Sequence, residues 1–438
     1  MNDTGDFGTP AQGIGPGSAF APFRWPAFRW IWAANLVSAL GSMIQSIAAA
    51  WLMTDLTDSH LLVALVQASI VIPVLFIGVF AGVLADNYDR RKVMLFANLG
   101  MASVSAVLAA LAWLDVVEPW SLLLMTLLLG CGFALNGPAW QASVRLQVPH
   151  EDLPQAISLN SIAFNMARSV GPAIGGVLLS LSGPKLAFTV NALSYALMIA
   201  VLIRWRPRTT GRRDKHAVFP AIGAALRFCA DSSPIRRVLT RGFAFGVGAT
   251  GYQALIPLVI RQQVGGDETD FGLVLGAFGV GSVVTALWLG PVRRRLGPEA
   301  IVSAAMLASA LAMVGLAWSS TVPHAMAASL FAGGGQVAAL TSLNVSMQLR
   351  SPEAILGRCL AIFQALAFGG FAVGSWISGV LSDAAGLAPA LLASAAWLAV
   401  ALVVLRILAP MPRIGEGTVK PVQPDGAPRE RSTDGLNS

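Results

Sequence analysis

Apolar residues occur in runs of about 18 to 27 separated by short polar segments, long enough to cross the ~30 Å hydrocarbon core of a bilayer. The runs predict membrane spans at 30–56, 61–85, 93–113, 120–144, 157–181 and 186–203, then at 238–260, 271–289, 300–318, 322–345, 359–381 and 387–408. The first run is too long for the apolar core of a signal peptide and is expected to stay as a helix. The pattern is that of an all-α membrane protein with twelve transmembrane helices.

The segments between the spans differ by charge. One alternate set holds Arg90, Arg91, Lys92, Arg145, the cluster from Arg204 to Arg237, Arg293 to Arg295, Arg350 and Arg358. The other set holds Lys185 and Arg261 among Asp55, Asp58, Asp115, Glu118, Asp267, Glu268 and Asp270. Because Lys and Arg are retained in cytoplasmic loops, an even count of spans with both termini in the cytoplasm is expected. Composition agrees: 55% of residues are hydrophobic and 12% charged, too few charges for a soluble surface. The net charge of +7 sits in the loops, so it reads as a topology signal and no nucleic-acid partner is expected. Residues 1–27 and 410–438 are expected to be disordered cytoplasmic tails. The basic linker 205–236 contains FPAIGAALRFCADSS, whose apolar spacing fits either a surface helix or a solvated connection.

An offset of 203 positions carries Arg90, Arg91 and Lys92 onto Arg293, Arg294 and Arg295. It also carries Gly78 onto Gly281, Gly130 and Gly132 onto Gly333 and Gly335, Pro149 onto Pro352, and Gly171 and Gly176 onto Gly374 and Gly379. Residues 28–204 and 237–409 are therefore expected to form two pseudo-symmetric six-helix bundles. Parallel repeats of this kind rock about a central site and expose it to either side in turn.

The second span ends in GVFAGVLADNYDRRK. Gly78 and Gly82 have the spacing that lets helices approach closely in lipid. Asp86 stands at a helix C-terminus, where its charge opposes the dipole, so it calls for a partner: an arginine such as Arg90 or Arg91, or the N-terminus of another helix. These residues are candidates for a conformational gate. The segment resembles the loop signature of the major facilitator superfamily, with Asn87 in place of a basic residue and Asp89 in place of a glycine. The Asp-Arg-Arg ending is similar to that of bacterial exporters, including enterobactin and macrolide efflux proteins. The resemblance covers residues 28–409 and implies the major facilitator fold in a bacterial inner membrane.

The fifth span contains NMARSVGPAIGGVLL. Gly171 and Pro172 predict a kink, and Gly175 and Gly176 a close helix contact. The segment resembles the antiporter motif of the superfamily's export branches; as residues alone, it equally describes a kinked packing helix. Ser161, Asn165, Arg168 and Pro172 fall on one helical stripe. Arg168 either meets an acidic substrate group or a carboxylate, or reaches the interface by snorkelling. Candidates for a central cavity are Asn35, Gln45, Asn136, Gln141, Tyr252, Gln253, Gln336 and Asn344; taken singly each fits a helix-to-helix hydrogen bond better than a ligand contact, and together they form a mildly polar set suited to amphipathic organic molecules.

No phosphate-binding GxxxxGK[ST] loop, HExxH or GxSxG occurs, and Cys131, Cys229 and Cys359 have no metal-ligand spacing, so neither an enzyme nor a cofactor is expected. Without a phosphate-binding loop the energy source is expected to be a gradient, and the resemblance implies export of a small organic molecule (a drug, siderophore or metabolite) coupled to a proton or other ion, by a monomer among membrane lipids. Import, lipid transport and a non-transporting receptor are the alternatives.

Overall fold

A computed structural model describes residues 18–207, 218–352 and 355–411. Among the described residues there are no strands, and eleven helices are long and apolar enough to cross a bilayer. Helix 1 is Pro26–Leu56, helix 2 His60–Asn87, helix 3 Arg90–Trp113 and helix 4 Pro119–Ser143. Helices 5 and 6 share the stretch Leu153–Arg204, whose 52 residues would make a rod about 78 Å long, more than twice the hydrocarbon thickness. That stretch breaks at Gly183, so 153–182 and 184–204 are separate spans. Helix 7 is Ser233–Leu258, prolonged by a π turn at Val259–Val264. Helices 8 and 9 share Glu268–Ala317 and divide at Gly297 into 268–296 and 298–317. Helix 10 is Val322–Gln348, helix 11 Leu356–Ala385 and helix 12 Leu387–Leu408, completing twelve spans in two halves.

The repeat is visible in the backbone. Gly183 joins helices 5 and 6 with φ 64° and ψ −166°, and Gly386 joins helices 11 and 12 with φ 93° and ψ 171°. The 203-residue offset carries one onto the other. Only glycine adopts this region without strain, so both halves make the same turn for the same reason. The joints at Gly183 and Gly386, together with Asp55 and Asp267, lie at the end termed acid-rich below; the opposite end, with Arg90 and Arg293, is termed Arg-rich.

In lipid the helices gain little from hiding apolar surface from one another, so packing depends on small residues and buried hydrogen bonds. A Cβ on Gly130 would lie 2.6 Å from the Ile70 carbonyl, and one on Gly246 2.5 Å from that of Ala367. Within the first half, Ser105 donates to Gln45 Oε1 at 2.8 Å and Asn191 donates to the same oxygen, tying helices 1, 3 and 6. In the second half Arg241, fully buried on helix 7, donates to the Leu405 and Ala409 carbonyls, each at 3.0 Å, and to Glu299 at 2.9 Å. Glu299 also accepts the Met411 amide, so one ion pair joins the Arg-rich ends of helices 7, 9 and 12.

Outside the spans one expectation changes, and in the linker the helical alternative is the one observed. Residues 18–25, assigned to a disordered tail by sequence, are folded. Ala21–Arg24 is a 3-10 turn, Arg24 pairs with Asp152 at 3.0 Å, and Trp25 Nε1 donates to the same carboxylate at 2.8 Å. Aromatic packing of Phe23 on Phe28 and Trp32 secures the turn, an anchor that the Gly and Pro content of the tail concealed. In the linker, Val218–Asp231 is helical and packs on helices 7 and 11, with Cys229 Sγ 3.9 Å from Cys359 Sγ. Residues 1–17, 208–217 and 412–438 lie outside the described residues.

Candidate gates and central site

The loop after helix 2 is organised by its polar side chains. Asp89 caps helix 3, accepting the Arg91 amide at 2.9 Å, which gives a capping residue a reason to stand where the superfamily signature has glycine. Arg90 donates to the Ala142 carbonyl at 2.7 Å, and Arg91 donates to the Leu202 and Ile203 carbonyls at 2.7 and 2.8 Å. The arginines thus satisfy the C-terminal carbonyls of helices 4 and 6, where a cation also complements the negative end of the helix dipole. The Asp86 side chain lies outside the described residues. The close approach expected at Gly78 and Gly82 is absent: among the described residues, a Cβ on Gly82 meets nothing within 4 Å and one on Gly78 meets only Val74 of its own helix. Glycine spacing permits an approach without requiring it in every conformation.

The helix 5 motif does make close contacts. A Cβ on Gly171 would lie 2.7 Å from Met43 Cβ, and one on Gly175 would lie 3.4 Å from Ile44 Cα, both on helix 1. Gly176 faces the other half, where a Cβ on Gly272 of helix 8 would fall 2.5 Å from Gly176 Cα. At the pseudo-equivalent crossing, a Cβ on Gly379 of helix 11 would sit 2.8 Å from Leu61 Cα of helix 2. The side chains of Asn165, Arg168 and Pro172 lie outside the described residues.

Both crossings run into polar contacts at the acid-rich end. Pro257 and the π turn after it widen the end of helix 7 and bring Arg261 against helix 1. There Arg261 pairs with Asp55, donates to Thr54 Oγ1 at 3.1 Å and lies 5.4 Å from the Trp51 ring centre. Trp51 in turn stacks on Phe271 at 5.2 Å and donates to Glu268 Oε1 at 3.1 Å. On the other side Asp383, near the end of helix 11, accepts the His60 amide at 2.6 Å, the Leu61 amide at 3.2 Å and the Ser59 hydroxyl at 3.2 Å. A carboxylate from one half therefore caps helix 2 of the other, an anion at the positive end of a helix dipole. His60 Nδ1 lies 2.8 Å from Ser382 Oγ and completes the contact.

At mid-depth, Gln67 on helix 2 donates to Gln253 on helix 7 at 3.2 Å, and Gln253 donates to Gln336 on helix 10 at 2.9 Å. This amide ladder crosses between the halves. Of the residues expected to line a cavity, Gln253 and Gln336 belong to it, and Asn35 and Asn344 are half-buried, with Asn344 accepting from Gln348 at 2.6 Å. Four others do not. Gln45 is buried among helices 1, 3 and 6; Asn136 accepts from Asn98 of helix 3 at 3.0 Å; Tyr252 is buried, stacked on Phe278 and bonded to Ser329 at 2.8 Å; Gln141 is exposed. A polar residue in an apolar helix satisfies itself on a neighbouring helix, which composition cannot distinguish from pointing into a cavity.

Like halves meeting through helices 2, 5, 8 and 11, with a polar ladder between them and a closed end above it, define a membrane transporter of the major facilitator fold. The chain belongs to the transmembrane secretion effector family of that superfamily, whose profile matches residues 17–429. It is 26% identical over 369 residues to the multidrug efflux pump Tap of Mycolicibacterium fortuitum, covering 81% of this chain and 88% of that one. It is 27% identical over 415 residues to the enterobactin exporter EntS of Citrobacter koseri, covering 92% and 96%. Among solved structures, the peptide-family transporter PepTSo superposes with a TM-score of 0.73 at 12% identity, over 87% of this chain and 97% of that one. The family and these relatives are transporters, not enzymes.

Proposed function

We propose that this chain is a secondary active exporter in a bacterial inner membrane, with both termini in the cytoplasm, moving a small amphipathic organic molecule outward in exchange for protons. Residues 28–204 and 237–409 act as the two rocking bodies. The observation that carries the reading is the paired closure at one end, Arg261 with Asp55 and Asp383 with the start of helix 2, because contacts of this strength can form and break. Each involves exposed or half-exposed charges, worth about 1 kcal/mol or less, so neither locks one state. With the acid-rich end outside, this conformation loads substrate from the cytoplasm.

The amide ladder of Gln67, Gln253 and Gln336 offers neutral hydrogen-bonding groups to a substrate, in keeping with relatives named for efflux of drugs and of a siderophore. Asp86, Arg90 and Arg91 gate the opposite end, and Arg168 serves acidic groups on the substrate. Carboxylates within reach of a coupling proton include Asp55, Glu268 and Asp383 at the closed end and Asp86 at the other.

The test compares retained drugs, dyes and catecholate metabolites in cells with and without the protein, with and without a protonophore. Lower retention of at least one compound, abolished by the protonophore, is expected. Higher retention would indicate import, and unchanged retention across the panel would count against transport of this substrate class.

A further inference from the structure

At the Arg-rich end a cavity of about 520 Å³ opens between helices 9 and 12, away from the contacts that join the halves. Its polar part is formed by Glu299, Ser303 and Arg406, and its apolar part by Ala304, Leu307 and Leu402. Glu299 to Leu307 spans about 12 Å of helix, so the cavity runs from the membrane boundary into the apolar part of the span.

The charges in it are unequal. Glu299 is occupied, accepting from Arg241 at 2.9 Å, Ser303 Oγ at 3.2 Å and the Met411 amide. Its charge is balanced by Arg241, whose side chain is fully buried. Arg406, exposed in the last turn of helix 12, has no ion-pair or hydrogen-bond partner among the described residues, which leaves the cavity one positive charge in excess. The repeat does not account for it. At the 203-residue offset, Glu299 and Arg406 replace Phe96 and Ile203, which present plain apolar surface, 73% and 55% exposed.

A lone interfacial arginine needs only water, and an apolar groove needs only acyl chains. A polar floor with one spare cation, continuous with an apolar wall, suits a molecule that is anionic at one end and apolar at the other. We propose that this cavity binds an anionic phospholipid, its phosphate on Arg406 and an acyl chain along Leu307 and Leu402. Basic pockets between transmembrane helices bind such headgroups through the same pairing. A zwitterionic aminophospholipid fits less well, because its ammonium would have to share a Glu299 carboxylate that already accepts three hydrogen bonds. The bound lipid would brace helices 9 and 12 where Arg241 already ties them. The proposal does not depend on the direction or substrate of transport.

The purified full chain is exchanged into phosphatidylcholine with added phosphatidylglycerol, phosphatidylethanolamine or, as a free-ion arm, inorganic phosphate. Lipid retained through native mass spectrometry and the thermal unfolding midpoint are recorded together. Phosphatidylglycerol should be retained several-fold over the other lipids and raise the midpoint, and inorganic phosphate should leave the midpoint unchanged. Arg406→Gln should bring phosphatidylglycerol down to the phosphatidylcholine level, and Arg406→Lys should keep part of it. Ala304→Leu, which fills the exposed wall without touching a charge, should also reduce retention, whereas Arg204→Gln at the end of helix 6 should not. Wild-type retention in Arg406→Gln, equal retention of phosphatidylethanolamine, or a midpoint shift with phosphate alone would each overturn the proposal. Because retention is read without transport, a chain that exports nothing tested but holds the lipid through Arg406 would count against the exporter reading alone.

Discussion

Arg241 shows how much of a buried charge is legible from its position in the chain. An arginine inside an apolar run signals a constrained site, since an unpaired cation there is costly. Its partners are not legible: Glu299 is 58 residues away and the Leu405 carbonyl 164. Removing one member of a buried pair leaves the other uncompensated, so Arg241→Ala should destabilise the second half by about 3 kcal/mol, less if water reaches the partly exposed Glu299. A thermal or denaturant midpoint in detergent checks this. Arg241→Ala with Glu299→Gln should recover part of the loss, and an unchanged midpoint in Arg241→Ala would mean the pair does no structural work. Asp89 illustrates the opposite case. It stands where the family signature has a glycine, and N-capping of helix 3 is a local interaction that its position just before the helix allows.

At the scale of helices, hydropathy and charge alternation gave the spans because in lipid every backbone group must be satisfied within a helix, and that requirement leaves a long apolar run. Boundaries moved at residues 18–25, where polar side chains find partners, and at helix 7, which starts at Ser233 ahead of its apolar run, with Arg236 donating to the Ala230 carbonyl. The glycines at a fixed offset revealed the repeat, but sequence could not say which of them touch. Gly176 meets helix 8 and Gly379 meets helix 2, whereas Gly78 and Gly82 meet no neighbouring helix among the described residues. Gly272→Leu would drive a side chain into the backbone of helix 5 at Gly176, an overlap that no rotamer relieves. Transport should fall at least about ten-fold, since a cost of 1.4 kcal/mol to the closed state already shifts the equilibrium by that factor. Helix content and membrane insertion should be unchanged. If Gly272→Leu transports at the wild-type rate, helices 5 and 8 need not close on each other during the cycle.

Over the whole molecule, the ends of the two halves come together through residues far apart in the chain. The Asp383 contact to His60 spans 323 positions, and no periodicity or motif marks either residue. Asp55 and Arg261 were recognisable only as charges on the acid-rich side, where Lys185 and Arg261 were the cations available; the structure pairs Lys185 with Asp115 in its own half and Arg261 with Asp55 across the halves. Gln67 was not among the cavity candidates although Gln253, to which it donates, was, because a single amide in an apolar span does not show its partner. Two like halves and a closed end are the features on which the exporter reading rests.

That reading requires the acid-rich end to open in every cycle. The most direct test is a reversible lock across it, with Ser59→Cys and Asp383→Cys introduced after Cys131, Cys229 and Cys359 are replaced by serine, assayed with a compound whose retention in cells the protein lowers. Oxidation should stop export of that compound and reduction should restore it. Full export by the cross-linked protein would contradict alternating access through this end.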